Sequence, residues 1–280
     1  MCSLRYVETV LLVGFLALAL PAAAMADWDP GDPYKMHYPQ MPDLDGWDVD
    51  FQHFTIDQPE TAFPADDWEC TQTGPVTDFH FWVSMKGDTL ESNPLGEVPF
   101  TIRLLGAWIF GNLPDGGNGY SVPNIADLKW GGFVENFAQV RHWATSPQGW
   151  FDPLTGEVTP GDHDHIYQVN VTGITEIPGQ LSPPFVQEKG EIYWLRLGVY
   201  AQNEADEWVD LGWKTTDGQF MDDAVYMYRD LVHNIEEYRE LIIDGESRDL
   251  SFVITPEPAT LSLLALGCLG ALLRRRKSKA

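Results

Sequence analysis

Hydrophobic and polar residues alternate with a period of two in several short segments of this chain. The clearest segment covers residues 76–85, where Phe79, Phe81 and Val83 take every second position. Such alternation is typical of a β-strand, and Trp82 among the alternate positions predicts a strand that is covered on both faces. Further strands are predicted at residues 99–108, 166–171, 191–200, 207–214, 224–228 and 250–254.

Turn-forming residues separate these segments. Gly, Pro, Asn and Asp are frequent at residues 112–118 and 152–164, which we therefore expect to form loops. Short strands with so little helix between them favour an all-β fold, namely one antiparallel β-sandwich or jelly roll at residues 50–254. Residues 27–49 hold four prolines and a cluster of acidic residues, which predicts an extended lead-in to this domain.

One segment departs from the strand pattern. Leu231, Ile235, Tyr238 and Leu241 recur at nearly helical spacing within residues 229–244. This spacing predicts a short helix that crosses one end of the domain.

The first 26 residues are organised like a secretory signal peptide. Arg5 precedes an apolar run at residues 10–20, and small residues follow it. Ala24 and Ala26 form an Ala-x-Ala site, so we expect cleavage after Ala26 by a Sec-type export pathway. The exported chain would then begin at residue 27.

The last 26 residues, 255–280, combine three parts in a fixed order. A Pro-Glu-Pro segment comes first, residues 259–273 are apolar, and basic residues dominate 274–280. The apolar run predicts a transmembrane helix with the basic tail in the cytoplasm. Its length of about 22 Å, against about 30 Å of hydrocarbon, suits a signal that is removed better than a permanent anchor. The residues expected to act in sorting or processing are Pro256, Glu257, Pro258, Arg274, Arg275 and Arg276.

The charge of the exported part narrows the choice of partners. Without Glu8 the acidic count is 41, and without Arg5 and the five basic residues of the tail the Lys and Arg count is 11. A net charge of about −30 repels nucleic acid and anionic lipid. We therefore expect no nucleic acid partner and contact with the membrane only through the C-terminal helix. Cations and neutral or basic extracellular polysaccharides are compatible partners.

Four aspartates surround a single glycine near the start of the domain. Asp43, Asp45, Asp48 and Asp50 do not form an EF-hand, because Gly46 is the fourth residue of the cluster rather than the sixth. The cluster predicts either a looser calcium site or a solvated acidic turn. No other cofactor is indicated.

The densest set of potential metal ligands is the Asp-His-Asp-His motif at residues 162–165. The two histidines would share one face of a strand, but Gly161 and the neighbouring turn residues predict a loop. A zinc site would also need a ligand from elsewhere in the chain. The available histidines are His37, His53, His80, His142 and His233.

No catalytic motif is found in the sequence. The Gly-x-Ser-x-Gly and His-Glu-x-x-His patterns are absent, and the many acidic residues give no means of selecting a pair for glycoside hydrolysis. We therefore name no catalytic residue and predict that the protein is not an enzyme. Cys70 is the lone cysteine of the exported part, which predicts a buried, unpaired thiol.

Eleven tryptophans raise the question of carbohydrate binding, because an exposed indole ring can stack on a sugar ring. The tryptophans within predicted strands, which we expect in the core, are Trp82, Trp108, Trp194 and Trp213. The tryptophans in or beside predicted turns, which are better candidates for exposure, are Trp28, Trp47, Trp143, Trp150 and Trp208.

Two resemblances follow from these segments. The order of Pro-Glu-Pro, apolar helix and arginine cluster at residues 255–280 resembles the PEP-CTERM sorting signal of Gram-negative bacteria, which implies processing by an exosortase. Residues 36–255 are similar to an uncharacterised domain of exported PEP-CTERM proteins from planctomycetes and verrucomicrobia. The segments that carry this second resemblance are residues 65–68, 70–82, 193–195, 212–215, 222–225 and 249–255. It implies a β-rich domain at the bacterial surface and assigns no activity.

Three classes of function are compatible with these features. The export and sorting signals favour a structural protein of the cell surface or the extracellular matrix. Exposed aromatic residues arranged side by side would favour a surface module that binds carbohydrate or another ligand. Carboxylates or histidines that converge in a cleft would favour a secreted glycan-active enzyme.

Overall fold

A computed structural model describes residues 27–51, 60–116, 119–174 and 185–256. The predicted signal peptide and the predicted helix at residues 259–273 lie outside these residues. Among the described residues there are 18 strands and one short 3-10 helix, Glu135–Phe137. In chain order the strands are β1 (Trp47–Asp50), β2 (Glu60–Glu69), β3 (Gly74–Pro75), β4 (Asp78–Met85), β5 (Thr101–Leu113), β6 (Val122–Phe133), β7 (Ala138–Asp152), β8 (Glu157–Val171), β9 (Val186–Gln187), β10 (Ile192–Gln202), β11 (Trp208–Val209), β12 (Leu211–Thr216), β13 (Val225–Asp230), β14 (Ile235–Glu240), β15 (Ile242–Ile243), β16 (Glu246–Ser247), β17 (Asp249–Leu250) and β18 (Phe252–Thr255).

The first sheet has the strand order β17-β12-β1-β7-β8-β4-β18, and β12 also pairs with β4. This extra pairing closes five strands, β12, β1, β7, β8 and β4, into a hydrogen-bonded ring. All pairs are antiparallel except β1 and β7, which run parallel. Gly212 of β12 is required for the packing inside this ring. A Cβ atom there would lie 2.7 Å from Cβ of Asp48 and 2.8 Å from the Trp150 ring.

The second sheet is antiparallel and open, with the order β14-β13-β2-β10-β5-β6, and β11 pairs with the end of β10. In the central strand β10, Leu195 and Leu197 belong to the main core. Trp194 and Arg196 alternate with them and therefore point to the other face of the sheet. Two short two-stranded ladders, β3 with β9 and β15 with β16, complete the fold.

Aromatic side chains join the two sheets in the main core. Trp68 of the second sheet lies 6.0 Å from Phe252 of the first, and Phe252 lies 6.1 Å from Trp213, measured between ring centroids. All three side chains are fully buried. Their indole N–H groups donate to the Gln187 side chain and to the Ser251 carbonyl. The two buried indoles are thus satisfied, as a stable aromatic core requires.

The all-β fold predicted from the sequence is confirmed, and each predicted strand overlaps a strand of the structure. The finer expectation of an antiparallel β-sandwich or jelly roll differs from the structure in two respects, because five strands of the first sheet close on themselves and because β1 and β7 run parallel. In the described part of the chain, no helix is long and apolar enough to span a lipid bilayer.

The helix predicted at residues 229–244 is wrong. This segment completes β13, turns, and returns as β14, which pairs antiparallel with β13. The Asp230 carboxylate accepts hydrogen bonds from the N–H groups of Val232 and His233, and Asn234 adopts a φ of 55°. These features close a hairpin, so pairing between strands overrides the local helical spacing.

The loop predicted at residues 152–164 is also wrong over most of its length. Strands β7 and β8 form a long hairpin, and the turn between them is confined to residues 153–156. The register shifts between Thr145 and Gln148 and again between Gln148 and Trp150. Such bulges accommodate Pro147, which cannot donate to a regular ladder.

Cys70 is buried and unpaired, as the sequence predicts. Its thiol donates to the Gln72 carbonyl at 3.3 Å, and burial raises its pKa. Because only the exposed thiolate reacts rapidly, we expect a thiol reagent to modify Cys70 at the rate of unfolding. Stopped-flow labelling with and without urea measures this, and rapid modification in the absence of urea would contradict the burial.

Candidate functional site

Four charged side chains from three strands of the closed ring contact one another. They are Asp48 of β1, Lys214 of β12, and Asp162 and His163 of β8, here called the ring network. Two of them, Asp48 and Lys214, alternate with the main-core residues Val49 and Trp213 and therefore point away from the main core. Oδ2 of Asp48 lies 3.2 Å from Nζ of Lys214 and 2.9 Å from Nε2 of His163. Nδ1 of His163 lies 3.1 Å from Oδ2 of Asp162. The side chains of Asp48, Lys214 and His163 are fully buried.

These contacts determine the protonation states of the ring network. Burial would lower the pKa of His163, but the Asp48 and Asp162 carboxylates outweigh burial and raise this pKa to about 9. Burial lowers the pKa of Lys214, against the attraction of Asp48. His163 is therefore a cation at neutral pH, and opposite charges are matched within the network. Because these groups are enclosed and bound to one another, the ring network acts as a structural ion cluster.

The four aspartates considered as calcium ligands do not converge. Asp48 points into the ring network, whereas Asp43 and Asp45 lie in the turn before β1. There, Oδ1 of Asp43 accepts the Asp45 N–H at 3.0 Å, and Oδ1 of Asp45 accepts the Ser146 hydroxyl at 3.0 Å. Asp50 is half-buried at the end of β1. Within the described ranges, no group of three or more His, Cys, Asp or Glu side chains is arranged to hold a metal ion.

The Asp-His-Asp-His motif at residues 162–165 lies in β8, so the expectation of a loop is wrong there. Its two histidines take different roles. His163 joins the ring network, while Nδ1 of His165 lies 3.2 Å from Nε2 of His142. The two aspartates accept backbone N–H groups of the loop after β4 at 2.9 and 2.7 Å. The motif thus fixes this loop to the ring.

Both ends of the described chain meet beside strands β8, β4 and β18 of the first sheet. Asn170 donates to Oδ1 of Asp27 at 3.0 Å, and its own Oδ1 lies 2.6 Å from Nδ1 of His80. Nε2 of His80 lies 3.3 Å from the Thr255 hydroxyl. We call these four residues the terminal network. Burial lowers the pKa of His80 to about 4, so its ring is neutral at physiological pH.

The residues next to Asp27 are fixed beside the same strands. Trp28 is buried at 3% exposure and packs edge-on against Trp82, with 6.0 Å between the ring centroids. Arg141 donates to the Trp28 carbonyl at 2.9 Å and forms an ion pair with Asp29 at 2.6 Å. The chain therefore packs onto the sheet from residue 27 onward.

Three buried carboxyl groups lie where β2 approaches β17. Asp66 accepts hydrogen bonds from the Leu250 N–H at 2.6 Å and from the Gln40 side chain at 3.0 Å. Asp249 accepts two backbone N–H groups at 2.7 and 3.1 Å. Asp67 is fully buried, and both of its carboxylate oxygens lack a partner among the described residues.

The proximity of these carboxyls changes their pKa values. Burial, then the negative charge of Asp249, raises the pKa of Asp66 and of Asp67 well above the ordinary range. Burial raises the pKa of Asp249 to about 7, although the backbone donors oppose this shift. The cluster therefore holds protons in the folded state that it loses on unfolding at neutral pH.

The outer face of the second sheet, opposite the main core, carries a line of aromatic side chains. Strand register places Arg196 beside Trp108, and the Trp108 ring lies 6.5 Å from Phe63 and 6.4 Å from Phe133 between centroids. Phe110 follows on the same face of β5. We call Phe63, Trp108, Phe110, Phe133 and Arg196 the aromatic face. Trp108 lies over Gly131 of the neighbouring strand, where a Cβ atom would approach the indole to 2.5 Å.

Arg196 has an unusual environment on this face. Its guanidinium lies 4.7, 5.1 and 5.9 Å from the ring centroids of Phe110, Trp108 and Phe63. One N–H group points at the Met227 sulfur at 3.2 Å. Nε of Arg196 and the hydroxyl of Tyr238 are both buried without a hydrogen bond of regular geometry among the described residues, but the two groups lie close together and the guanidinium interacts with the hydroxyl. Burial lowers the pKa of Arg196, yet no carboxylate of the described chain forms an ion pair with it.

The exposure of several tryptophans differs from what the sequence predicts. Trp108, expected in the core, is half-buried on the aromatic face, while Trp28 and Trp150, expected at the surface, are buried. Trp47 and Trp143 are half-buried. The expectation holds for exposed Trp208 and for three core residues, Trp82, Trp194 and Trp213.

Sequence reasoning missed Arg196 and Lys214. A signal for Arg196 exists, because an arginine within Tyr193-Trp194-Leu195-Arg196-Leu197 is the one charge in an otherwise apolar strand. Lys214, in a segment expected as a strand, offered a similar signal. The partners of both residues come from distant strands, and no local pattern predicts those contacts.

Comparison with known proteins identifies a sorting motif at the C-terminal end of the chain. The PEP-CTERM protein-sorting motif matches residues 255–277. The motif marks an exported, envelope-associated protein that is processed by an exosortase-type system.

The folded domain itself matches over almost its whole length. The chain belongs to the family described as Domain of unknown function (DUF7901), which matches residues 36–255. No curated protein and no solved structure matches this chain.

Proposed function

We propose that this protein is a structural component of the cell surface or the extracellular matrix. Its all-β domain would be displayed with the terminal network facing the membrane. The observation that carries the proposal is the hydrogen-bonded chain from Asp27 through Asn170 and His80 to Thr255. It joins the residue after the expected signal cleavage site to the first residue of the sorting motif.

The domain also lacks a spacer before the sorting motif. Strand β18 ends at Thr255, where the match to the motif begins. On its other side β18 is held by residues 35–40, since the N–H groups of Lys35 and Gln40 donate to the carbonyls of Ile254 and Phe252. A domain joined so closely to its sorted end would be presented rigidly, which suits a surface layer better than a tethered, freely moving binding domain.

Fractionation of cells that contain the exosortase tests this role. We expect the processed protein to stay with the washed envelope or matrix. Glu257→Ala, within the sorting motif, should block processing. Glu246→Ala, an exposed residue of the folded domain, is the matched control and should be processed normally. Recovery of the processed protein mainly from the culture medium would contradict the structural role.

A second candidate function is binding to an extracellular polysaccharide. The aromatic face favours it, because Phe133 is 51% exposed beside the half-buried Trp108 and Phe63. Aromatic rings presented on a rigid sheet can hold the apolar face of a sugar ring. Retention of the domain on an insoluble polysaccharide, lost in Trp108→Ala and kept in Trp208→Ala, would support this candidate.

The origin of the chain in planctomycetes or verrucomicrobia, the signal peptide and the Sec-type route are parts of the same proposal. The looser calcium site predicted at Asp43, Asp45, Asp48 and Asp50 is a separate prediction. Thermal unfolding in calcium and in chelator at matched ionic strength tests it.

A further inference from the structure

Arg196 carries more hydrogen-bonding capacity than the domain uses. A guanidinium has five N–H donors, and the described residues supply one sulfur acceptor, the nearby Tyr238 hydroxyl and three aromatic ring faces. Ring faces attract a cation but do not replace an oxygen acceptor. A buried guanidinium without an ion pair is costly to maintain. An external acceptor would satisfy it.

The surroundings of Arg196 restrict what that acceptor can be. A planar guanidinium matches a carboxylate in a two-point contact, and the Tyr238 hydroxyl beside it, which can only accept from the guanidinium, keeps its own proton to donate. The rings of Trp108 and Phe133 lie next to this position and favour a ligand with an apolar ring face. We propose that the aromatic face binds a carboxylate-bearing sugar residue, such as a uronic acid of an extracellular polysaccharide, with its carboxylate on Arg196. This inference rests on the polysaccharide-binding candidate and names its substrate class.

The side chains around the guanidinium are partly exposed. Arg196, Trp108, Phe63 and Tyr238 are half-buried, and Phe133 is 51% exposed. The ligand would reach the guanidinium from the solvent side of the sheet. The face away from solvent is filled by main-core residues such as Leu195 and Ala107.

The charge of the domain sets a limit on the ligand. The exported part has 41 acidic and 11 basic residues. At physiological ionic strength fields are screened over about 8 Å, so one carboxylate seated on Arg196 is little affected by distant aspartates. A chain of adjacent uronic acids would extend over the acidic surface and be repelled. The expected ligand is therefore an isolated acidic sugar within an otherwise neutral polysaccharide.

Titration with two matched small sugars tests the proposal. Methyl glucuronide and methyl glucoside differ only in the carboxylate, and binding to the exported domain is followed by calorimetry or ligand-observed NMR. We expect the glucuronide to bind about tenfold or more tightly than the glucoside. Arg196→Met should remove that preference, Arg196→Lys should keep part of it, and Trp108→Ala should weaken both sugars.

A stability measurement separates a binding role from a purely structural one. If Arg196 is held for a ligand, Arg196→Met should leave the thermal midpoint of the unliganded domain unchanged or raise it. If the guanidinium serves only to bind the three rings, the midpoint should fall and the two sugars should bind equally.

Each negative result of the sugar titration has a different meaning. Equal affinity for the two sugars would overturn the carboxylate site while leaving neutral polysaccharide binding intact. No binding of either sugar, together with no retention on polysaccharide, would overturn the binding candidate and this inference with it. Preferential binding of the glucuronide that persists in Arg196→Met would place the carboxylate elsewhere and would also overturn the proposal.

Discussion

Replacing Asp48 by Asn is expected to lower the free energy of unfolding by about 3–5 kcal/mol at pH 7. Asp48 is the carboxylate that joins Lys214 and His163, and all three side chains are fully buried. An amide keeps the shape of the side chain but removes the negative charge. Lys214 would then be a buried cation without an ion pair, because among the described residues its ion pair is with Asp48.

Two further variants show whether the lost charge is the cause. Asp48→Asn combined with Lys214→Met should lose less stability than Asp48→Asn alone, because it removes the uncompensated cation together with its partner. Asp45→Asn, in the exposed turn nearby, should change the free energy of unfolding by less than about 0.5 kcal/mol. Urea denaturation of the exported domain measures all three. A loss below about 1 kcal/mol for Asp48→Asn would show that the ring network contributes little.

The pH dependence of the ring network follows from His163. Its pKa is raised in the folded state from 6.5 to about 9. The resulting stabilisation is fully present below pH 6.5 and is lost as the pH rises through 9. In Asp48→Asn this loss should be smaller, because the carboxylate that contributes most to the raised pKa is absent.

The second large effect is expected at Asp67, with the opposite sign. Burial, then the charges of Asp249, Asp222 and Asp223, raises the pKa of Asp67 well above its ordinary range. The folded protein therefore holds a proton that the unfolded chain releases, so this group destabilises the fold as the pH rises above about 4. Asp67→Asn removes the titration and should improve stability at pH 8 relative to its effect at pH 4.

The comparison between the two pH values isolates the charge. Any cost of burying an amide is the same at both pH values, so the difference between them should favour the variant at pH 8. Asp127→Asn, a substitution of the same chemistry at a partly exposed surface residue, is the matched control. Identical effects of Asp67→Asn at pH 4 and pH 8 would mean that Asp67 titrates normally.

Asp249 also contributes to the change of stability with pH in this range. Its pKa of about 7 places the release of its proton near neutrality. His37 and His80 act in the opposite direction, because burial lowers their pKa values to about 4, and the stability that they contribute above pH 6.5 is lost as the pH falls. Because these contributions oppose one another, the effect of one group is measured as the difference in stability between a variant and the unmodified protein, not from the pH profile of the protein alone.

The sequence predicted those parts of the fold that depend on local pattern. Alternation around Phe79 and Phe81 identified β4 because both faces of that strand are buried. The lone Cys70 predicted its burial. Helical spacing at residues 229–244 misled, since the pairing of β14 with β13 depends on a turn at Asp230 and Asn234 rather than on hydrophobic spacing.

The candidate sites depended on contacts that no local pattern encodes. Asp48 belongs to an acidic run typical of a solvated turn, and its burial becomes evident only when β12 brings Lys214 beside it. The sequence indicates His163 and His165 as potential metal ligands. In the structure their partners are instead Asp48 and His142, which other strands contribute. The sequence predicts Trp108 in the core. Alternation separates the two faces of a strand, but it does not tell which face the other sheet covers, and Trp108 lies on the aromatic face.

We propose that the exported domain starts and ends at the terminal network, where hydrogen bonds join Asp27 to Thr255, so that both expected processing sites adjoin it. Intact-mass measurement of the protein isolated from its native envelope tests this most directly. We expect a mass that corresponds to a chain from Asp27 to a residue at 256–258. A major species that retains Arg274–Arg276, or one that lacks Asp27 and Trp28, would contradict the account.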